Sequence, residues 1–270
     1  MVLRCPEDKY LFIRDRIVAL ASCPSLTLED VRWLAGILAW LSEGVAAGVP
    51  YVAPFVAMSA VLERECTRRN SPAGGVSRRT TAHATEALSF WARFLPSWTR
   101  LCPMVAGFGP FDVPDVRGWV DTSTVHKRVG GVFYCPGTRT LLGFTRPLSA
   151  TDCASGAGSL ADVSAVFELV GIRVWMRLFH ARCARLRLLL ETDSEAAMLA
   201  LAKAFSVKAG MLDPVRDVWA LAARQYTRLR IRATPRSFPT MVMADHLSRG
   251  DFQAARCIAA QVFDLRLLSV

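Results

Sequence analysis

Residues 117–135 read RGWVDTSTVHKRVGGVFYC, and the fold is decided in this stretch. Two runs rich in β-branched and aromatic residues, 117–125 and 129–135, are separated by a polar turn. A third short run covers 139–144. Short strands joined by turn-like pieces predict an antiparallel meander. Asp121 interrupts the apolar pattern in the middle of the first run. A carboxylate inside an apolar strand is costly unless a cation or hydrogen bonds compensate it. Asp121 is therefore either an acid on the exposed face of an edge strand or a functional group.

Downstream of the meander the rhythm changes. A polar, small-residue loop covers 150–160, after which Asp162 can cap a helix reaching about residue 181. Leu186–Leu190 is a continuous apolar run, as expected of a buried parallel strand. Asp193-Ser194 opens a helix to about Phe205, and Asp213-Pro214 caps and starts another to about Tyr226. Arg228-Leu229-Arg230-Ile231-Arg232 alternates strictly, which marks a half-exposed strand. A loop with Pro235 and Pro239 leads to terminal helices at about 242–248 and 252–268. The order β-β-β-α-β-α-α-β-α predicts an α/β domain: a five-stranded mixed sheet, its first three strands antiparallel, flanked by helices.

Upstream the chain reads as helices and loops. Thr27-Leu28-Glu29-Asp30 starts a helix, and Val31, Leu34, Ile37, Leu38 and Leu41 recur at helical spacing. Gly44, Gly48 and Pro50 end it. A second helix covers roughly Pro54–Arg68, and a third runs from about Thr80 to Leu95. The Gly/Pro-rich stretch Pro103–Pro114 marks a boundary. The expected organisation is a mostly α-helical segment at 1–110 followed by the α/β domain at 111–270.

The 270 residues carry 33 Lys+Arg against 23 Asp+Glu, a net charge of +10. Residues 1–110 hold 12 basic and 9 acidic side chains, and residues 111–270 hold 21 and 14, so most of the excess lies in the second part. Only Lys9, Lys127, Lys203 and Lys208 are lysines. The excess of arginine fits either phosphate binding or a GC-rich coding sequence. With 52% hydrophobic residues the chain is not disordered. The eight cysteines show no CxxC pair and no zinc-ligand spacing, so they read as reduced thiols of an intracellular protein. The N-terminus begins with charged residues rather than a secretory signal. The most apolar region, 34–62, is broken by Glu43, Pro50 and Pro54, so no membrane span is expected.

Three more acids sit in telling places: Glu168 on a helix, Asp193 at a strand-to-helix junction and Asp245 near the last helices. Taken singly, Glu168 also reads as a solvated helix residue, and Asp193 and Asp245 as helix caps. As a set they resemble the ribonuclease H family in its retroelement form. The matching pieces are Asp121 and Ser123 followed by Gly130-Gly131, Glu168-Leu169, Thr192-Asp193-Ser194, and Ala244-Asp245-His246-Leu247-Ser248-Arg249. The first half, through Leu34–Leu41 with Gly48-Val49-Pro50-Tyr51 and Pro54, resembles the thumb or connection helices of DIRS/Ngaro-type reverse transcriptases. No Tyr-x-Asp-Asp motif occurs, so the polymerase carboxylates are missing and the chain looks like the C-terminal part of a longer reverse transcriptase.

The resemblance implies a ribonuclease H that cuts the RNA strand of RNA–DNA hybrids. Asp121, Glu168, Asp193 and Asp245 would hold two Mg²⁺ ions, with Mn²⁺ as a substitute, and no small-molecule cofactor. Hard cations of this kind take oxygen ligands. The implied partners are the hybrid and the polymerase palm. Ser123 and Ser194, with Thr122, are candidates for contacts to 2′-hydroxyls. Arg228, Arg230 and Arg232 on one strand face, Arg182, Arg185 and Arg187, and Arg249 are candidates for phosphate contacts or else a solvated basic face. Trp119 and Trp219 read as core aromatics. The chain departs from the family at Met241, where an Asn is frequent, and at Ser194. The loop Thr234–Met243 lacks the histidine of cellular members, and His246 reads as pointing away from the site. These departures leave a catalytically inactive hybrid-binding module as the alternative. Another nuclease or integrase of the same superfamily is a third reading. Arg249-Gly250-Asp251 reads as a glycine helix stop followed by an Asp cap rather than an adhesion tripeptide.

Overall fold

The computed structural model describes residues 2–97, 101–103, 113–149, 160–204, 210–225 and 227–270. Most of the boundary stretch 103–114 and of the polar loop 150–160 lies outside the described residues, as do the helix ends expected at Phe205 and Tyr226. The chain divides into two compact units, residues 1–105 and 106–270.

The first unit is mostly helical: α1 (Glu7–Ala21), α2 (Leu28–Gly44), α3 (Ala53–Arg69) and α4 (Ala82–Phe94). A capping box fixes the start of α2, with Thr27 Oγ1 accepting from the Asp30 N–H and the Asp30 carboxylate accepting from the Thr27 N–H. Two short antiparallel ribbons join the helices, β1 (Val2–Arg4) with β4 (Leu101–Pro103) and β2 (Ser25–Thr27) with β3 (Ser77–Arg79). Neither the ribbons nor α1 is among the elements read from the sequence. The apolar stripe Tyr10, Ile13, Ile17 and Leu20 of α1 is diluted by charged residues in that reading.

The second unit is the expected α/β structure. Strands β5 (Val116–Ser123), β6 (Arg128–Cys135) and β7 (Thr140–Pro147) form the antiparallel meander. Helix α5 (Leu160–Phe179) leads to β8 (Arg187–Thr192), which pairs parallel to β5. Helices α6 (Glu195–Ala202) and α7 (Leu212–Arg224) precede β9 (Arg228–Ala233), parallel to β8. Helices α8 (Pro239–Ser248) and α9 (Phe252–Phe263) follow. The predicted final helix to residue 268 stops at Phe263, where Asp264 takes a left-handed cap. Leu268–Ser269 then adds a two-residue strand, β10, parallel to β7, so the sheet has six strands in the order β10-β7-β6-β5-β8-β9.

Two predicted caps are corrected. Helix α7 begins at Leu212, so Asp213 and Pro214 lie inside its first turn, and Met211 is the N-cap without a side-chain bond. Helix α5 is already formed at Leu160, ahead of Asp162. Of the dipeptide Asp193-Ser194, it is Ser194 that caps α6, accepting from the Ala197 N–H.

The sheet separates two cores. On one face α5, α6 and α7 pack on Val120, Val129, Phe144 and Leu190. On the other, α8 and α9 pack on Trp119, Val132 and Leu141. The adjacent Gly130 and Gly131 serve opposite faces. A Cβ at Gly131 would strike Phe144 and Trp175, whereas one at Gly130 would strike the backbone of Leu247 and Ser248. The Gly-Gly pair therefore lets a tryptophan seat on one side and brings α8 against the strand on the other. Trp119 is core, as expected, and Trp219 is half-buried with its Nε1 donating to the Leu201 carbonyl at 3.0 Å. Among the described residues no helix is long and apolar enough to cross a membrane.

Candidate active site

Asp121 lies on β5, an interior strand paired on both sides, and its side chain is 1% exposed. The edge-strand reading of this residue is thereby excluded. Burial of a carboxylate requires compensation. The Ser248 hydroxyl donates to Asp121 Oδ2 at 2.5 Å, and Arg236 Nη2 donates to Oδ1 at 3.0 Å. Ser248 reaches Asp121 because Gly130 admits α8 so closely.

Glu168 projects from α5 and is 5% exposed. The Thr122 N–H lies close enough to favour its charged form, while Thr122 Oγ1 itself is turned under α5 at Gly171. Asp193 follows the end of β8, and Ser194 fixes the turn there by capping α6. Ligand oxygens of Asp121, Glu168 and Asp193 all lie within 4.8 Å of one another. Asp245 on α8 joins them through Arg236, whose Nη2 stands 3.6 Å from its Oδ1. Arg249 Nη2 holds both Asp245 oxygens, Oδ2 at 2.7 Å and Oδ1 at 2.8 Å. The four acids come from four separate elements and meet along one cleft of about 550 Å³.

The electrostatics follow from this crowding. Burial, then the charges of Asp121 and Asp193, push the Glu168 carboxyl well above the usual glutamate range. Asp193 is raised as well, by burial first and by Asp121 second, with Arg236 opposing. Arg236 is itself raised, chiefly by its hydrogen bond to Asp121. Glu168 Oε2 is buried and accepts no hydrogen bond among the described residues. A buried carboxylate oxygen without a partner, facing two further carboxylates, suits a hard divalent cation. The donor set is all oxygen, with neither thiol nor imidazole. The residues present therefore fit Mg²⁺ or Mn²⁺.

The other expected residues divide. Ser123, Ser194 and Arg249 line the cleft. Ser123 Oγ accepts from the His126 N–H at 3.2 Å, which holds the β5–β6 turn at the rim. Arg228, Arg230 and Arg232 are on β9, away from the residues that line the cleft. Arg232 is also engaged by the buried Glu191, at 2.6 Å. Of the second cluster, Arg187 forms a two-pronged pair with Asp115. His246 points to Asp251 rather than to the site, as expected. Met241 is buried in the α8–α9 core and contributes no polar group. Gly250 has φ +86° and Asp251 caps α9, so Arg249-Gly250-Asp251 is a helix-to-helix turn.

Sequence reasoning missed Arg236, Ser248 and Glu191. Arg236 stands alone in a loop between prolines, where an arginine ordinarily reads as solvated. The only available signal was its place just before the helix that carries Asp245.

Fold and cleft together define a mixed-sheet α/β unit with buried clustered carboxylates at one end of the sheet. By structure the chain is similar to an N-terminal RNase H domain from Mycobacterium tuberculosis, solved as a fusion with maltose-binding protein. That match is 19% identical, covers 55% of this chain and 100% of that one, and has a TM-score of 0.38. It is also similar to RNase H1 from the halophilic archaeon Halobacterium salinarum, at 15% identity, 52% and 98% coverage and a TM-score of 0.38. No protein-family model and no curated protein matches the sequence.

Proposed function

We propose that residues 111–270 form a divalent-metal-dependent nuclease of the ribonuclease H type, which hydrolyses the RNA strand of RNA–DNA hybrids. In this reading the chain works with the polymerase palm of a DIRS/Ngaro-like retroelement reverse transcriptase, and residues 1–110 serve as its thumb or connection segment. The observation that carries the reading is the convergence of Asp121, Glu168 and Asp193, from two strands and a helix, with Glu168 Oε2 left without a hydrogen-bond partner. The element order and the Gly130-Gly131 packing support it.

Asp121, Glu168 and Asp193 would hold Mg²⁺, or Mn²⁺ in its place, with Asp245 completing the set. Bound there, a pair of such ions supplies charge stabilisation for the attacking and leaving oxygens of an in-line displacement. The chain's own groups do the positioning. Ser248 fixes the rotamer of Asp121, and the nearby Thr122 N–H favours the charged form of Glu168. Ser123 and Ser194 line the cleft as small polar groups, the type that reads 2′-hydroxyls. Arg249 lines the rim, and Arg228, Arg230 and Arg232 add sequence-independent phosphate affinity from β9.

The test is cleavage of a labelled RNA–DNA hybrid by the full chain with Mg²⁺ or Mn²⁺. Asp193→Asn is expected to lower the rate more than about a hundredfold, beyond what groups that only support a ligand cost. No cleavage by the parent chain, or undiminished cleavage by the variant, would falsify the reading. The second reading, an inactive module that only grips hybrid, is favoured by one observation: Arg236 is paired with three of the four acids. Hybrid binding without metal-dependent cleavage would establish it.

A further inference from the structure

Arg236 makes contacts that a solvated loop arginine does not need. Its Nη2 is 3.0 Å from Asp121 Oδ1, its Nε is 3.0 Å from Asp193 Oδ2, and Nη2 is 3.6 Å from Asp245 Oδ1. One guanidinium thus bridges acids from β5, from the end of β8 and from α8. Its side chain is nonetheless 59% exposed. The stem of its loop is tied down: Thr234 Oγ1 donates to Glu191 Oε2 at 2.5 Å, and the Thr234 N–H donates to the Thr192 carbonyl at 2.8 Å. The tip, Pro235 to Phe238, is exposed and closed by a turn in which the Phe238 N–H donates to the Pro235 carbonyl at 3.0 Å. Arg236 can therefore leave the acids without moving the elements that carry them.

We propose that Arg236 is the built-in counter-ion of the carboxylate cluster, and that it and divalent cations exclude one another from Asp121 and Asp193. The proposal rests on the reading of the cluster as a divalent-ion site. Two arguments carry it. The oxygens that Arg236 engages belong to two of the three acids whose ligand atoms converge. A doubly charged ion among those oxygens would also sit within a few ångströms of a guanidinium that holds them, and like charges at that range repel strongly. In the metal-free protein Arg236 offsets the charges of Asp121 and Asp193 instead. Arg236 thereby sets the metal affinity of the cluster.

The experiment titrates Mn²⁺ into the chelator-stripped full chain by calorimetry, comparing the parent with Arg236→Met and Arg236→Lys. Arg236→Met is expected to bind Mn²⁺ roughly tenfold more tightly, the scale of losing a few half-exposed ion pairs. Arg236→Lys, which keeps the charge without the fork, is expected to fall between the two. In a melting experiment without metal, Arg236→Met should unfold at a lower temperature than the parent, and saturating Mn²⁺ should close that gap. Unchanged or weaker Mn²⁺ binding by Arg236→Met overturns the proposal, as does failure of both chains to bind Mn²⁺, or an unchanged metal-free melting temperature. The nuclease reading fails separately, if the parent binds Mn²⁺ and yet leaves the hybrid uncut.

Discussion

The buried Glu191 of β8 and the carboxylate cluster of Asp121, Glu168 and Asp193 are treated in opposite ways. Glu191 on β8 is met on Oε2 by Arg232 at 2.6 Å and Thr234 at 2.5 Å, while its buried Oε1 has no hydrogen bond and only Arg117 at 3.6 Å. Asp121 and Asp193 share one exposed arginine, Arg236, and Glu168, raised by their charges, keeps one oxygen without a hydrogen bond. Glu191 is an internal ion pair closed by the fold. The cluster is under-compensated in the fold itself. What separates the two is the cation: Glu191 has arginines of its own, whereas the clustered carboxylates crowd around one exposed arginine and raise one another's pKa.

The contrast can be broken most severely at Gly130. Any side chain there meets the backbone of α8, so Gly130→Ala is expected to cost about 3 kcal/mol in denaturant unfolding, at the upper end of overpacking. Displacing α8 also pulls Ser248 from Asp121 and Asp245 from the cluster, so Mn²⁺ affinity should fall with stability. Glu191→Gln tests the other side. It should lower stability by about 1–3 kcal/mol, since a charge-assisted pair is lost and buried groups stay unsatisfied. Its Mn²⁺ affinity by calorimetry should match the parent's; a clear loss would mean that the two acid groups are one.

The smallest effect is a slope with pH. Glu168 binds its proton more tightly folded than unfolded, because burial and its neighbours raise it. Its protonation thus stabilises the metal-free fold. That contribution is full below the ordinary glutamate value of about 4.3 and is lost as pH rises through the raised value. Asp115, held low by Arg187, works in the opposite sense, losing its contribution as pH falls below the usual aspartate range of about 3.9. Above the usual carboxylate range, where Asp115 is ionised folded and unfolded alike, the Glu168 trend stands clear of the Asp115 one. Melting temperatures in chelator should therefore decline as pH rises across that window, and Glu168→Gln should flatten the decline. A flat parent profile would remove the electrostatic strain from the cluster.

Much of the second unit was legible because its signals are local. The meander at 117–144, the apolar run Leu186–Leu190 and the alternation at 228–232 each state a strand through side-chain period. The six-strand order was less legible, since Leu268-Ser269 carries no pattern long enough to announce an edge strand. Caps at Asp213 and Asp162 were misplaced because helices began a residue or two ahead of the residue with capping chemistry. In the first unit, α1 was hidden by the charges along its exposed face. The four acids were identifiable as a set through the short motifs around them, whereas Arg236 had no motif, and Ser248 sat inside one without a stated purpose.

The sequence by itself determined the alternation of strands and helices, the position of each acid on its element, and the glycine pair that the packing needs. These follow from periodicity and from backbone and steric rules that act over a few residues. Only the tertiary structure decided that β5 is interior and that acids 47 and 25 residues apart along the chain, from Asp121 to Glu168 and on to Asp193, share one site. It alone also decided that one arginine contacts three of the four acids while Glu191 keeps its own. Charge interactions depend on distance and burial, and neither is written along the chain until the sheet and α8 bring distant segments together.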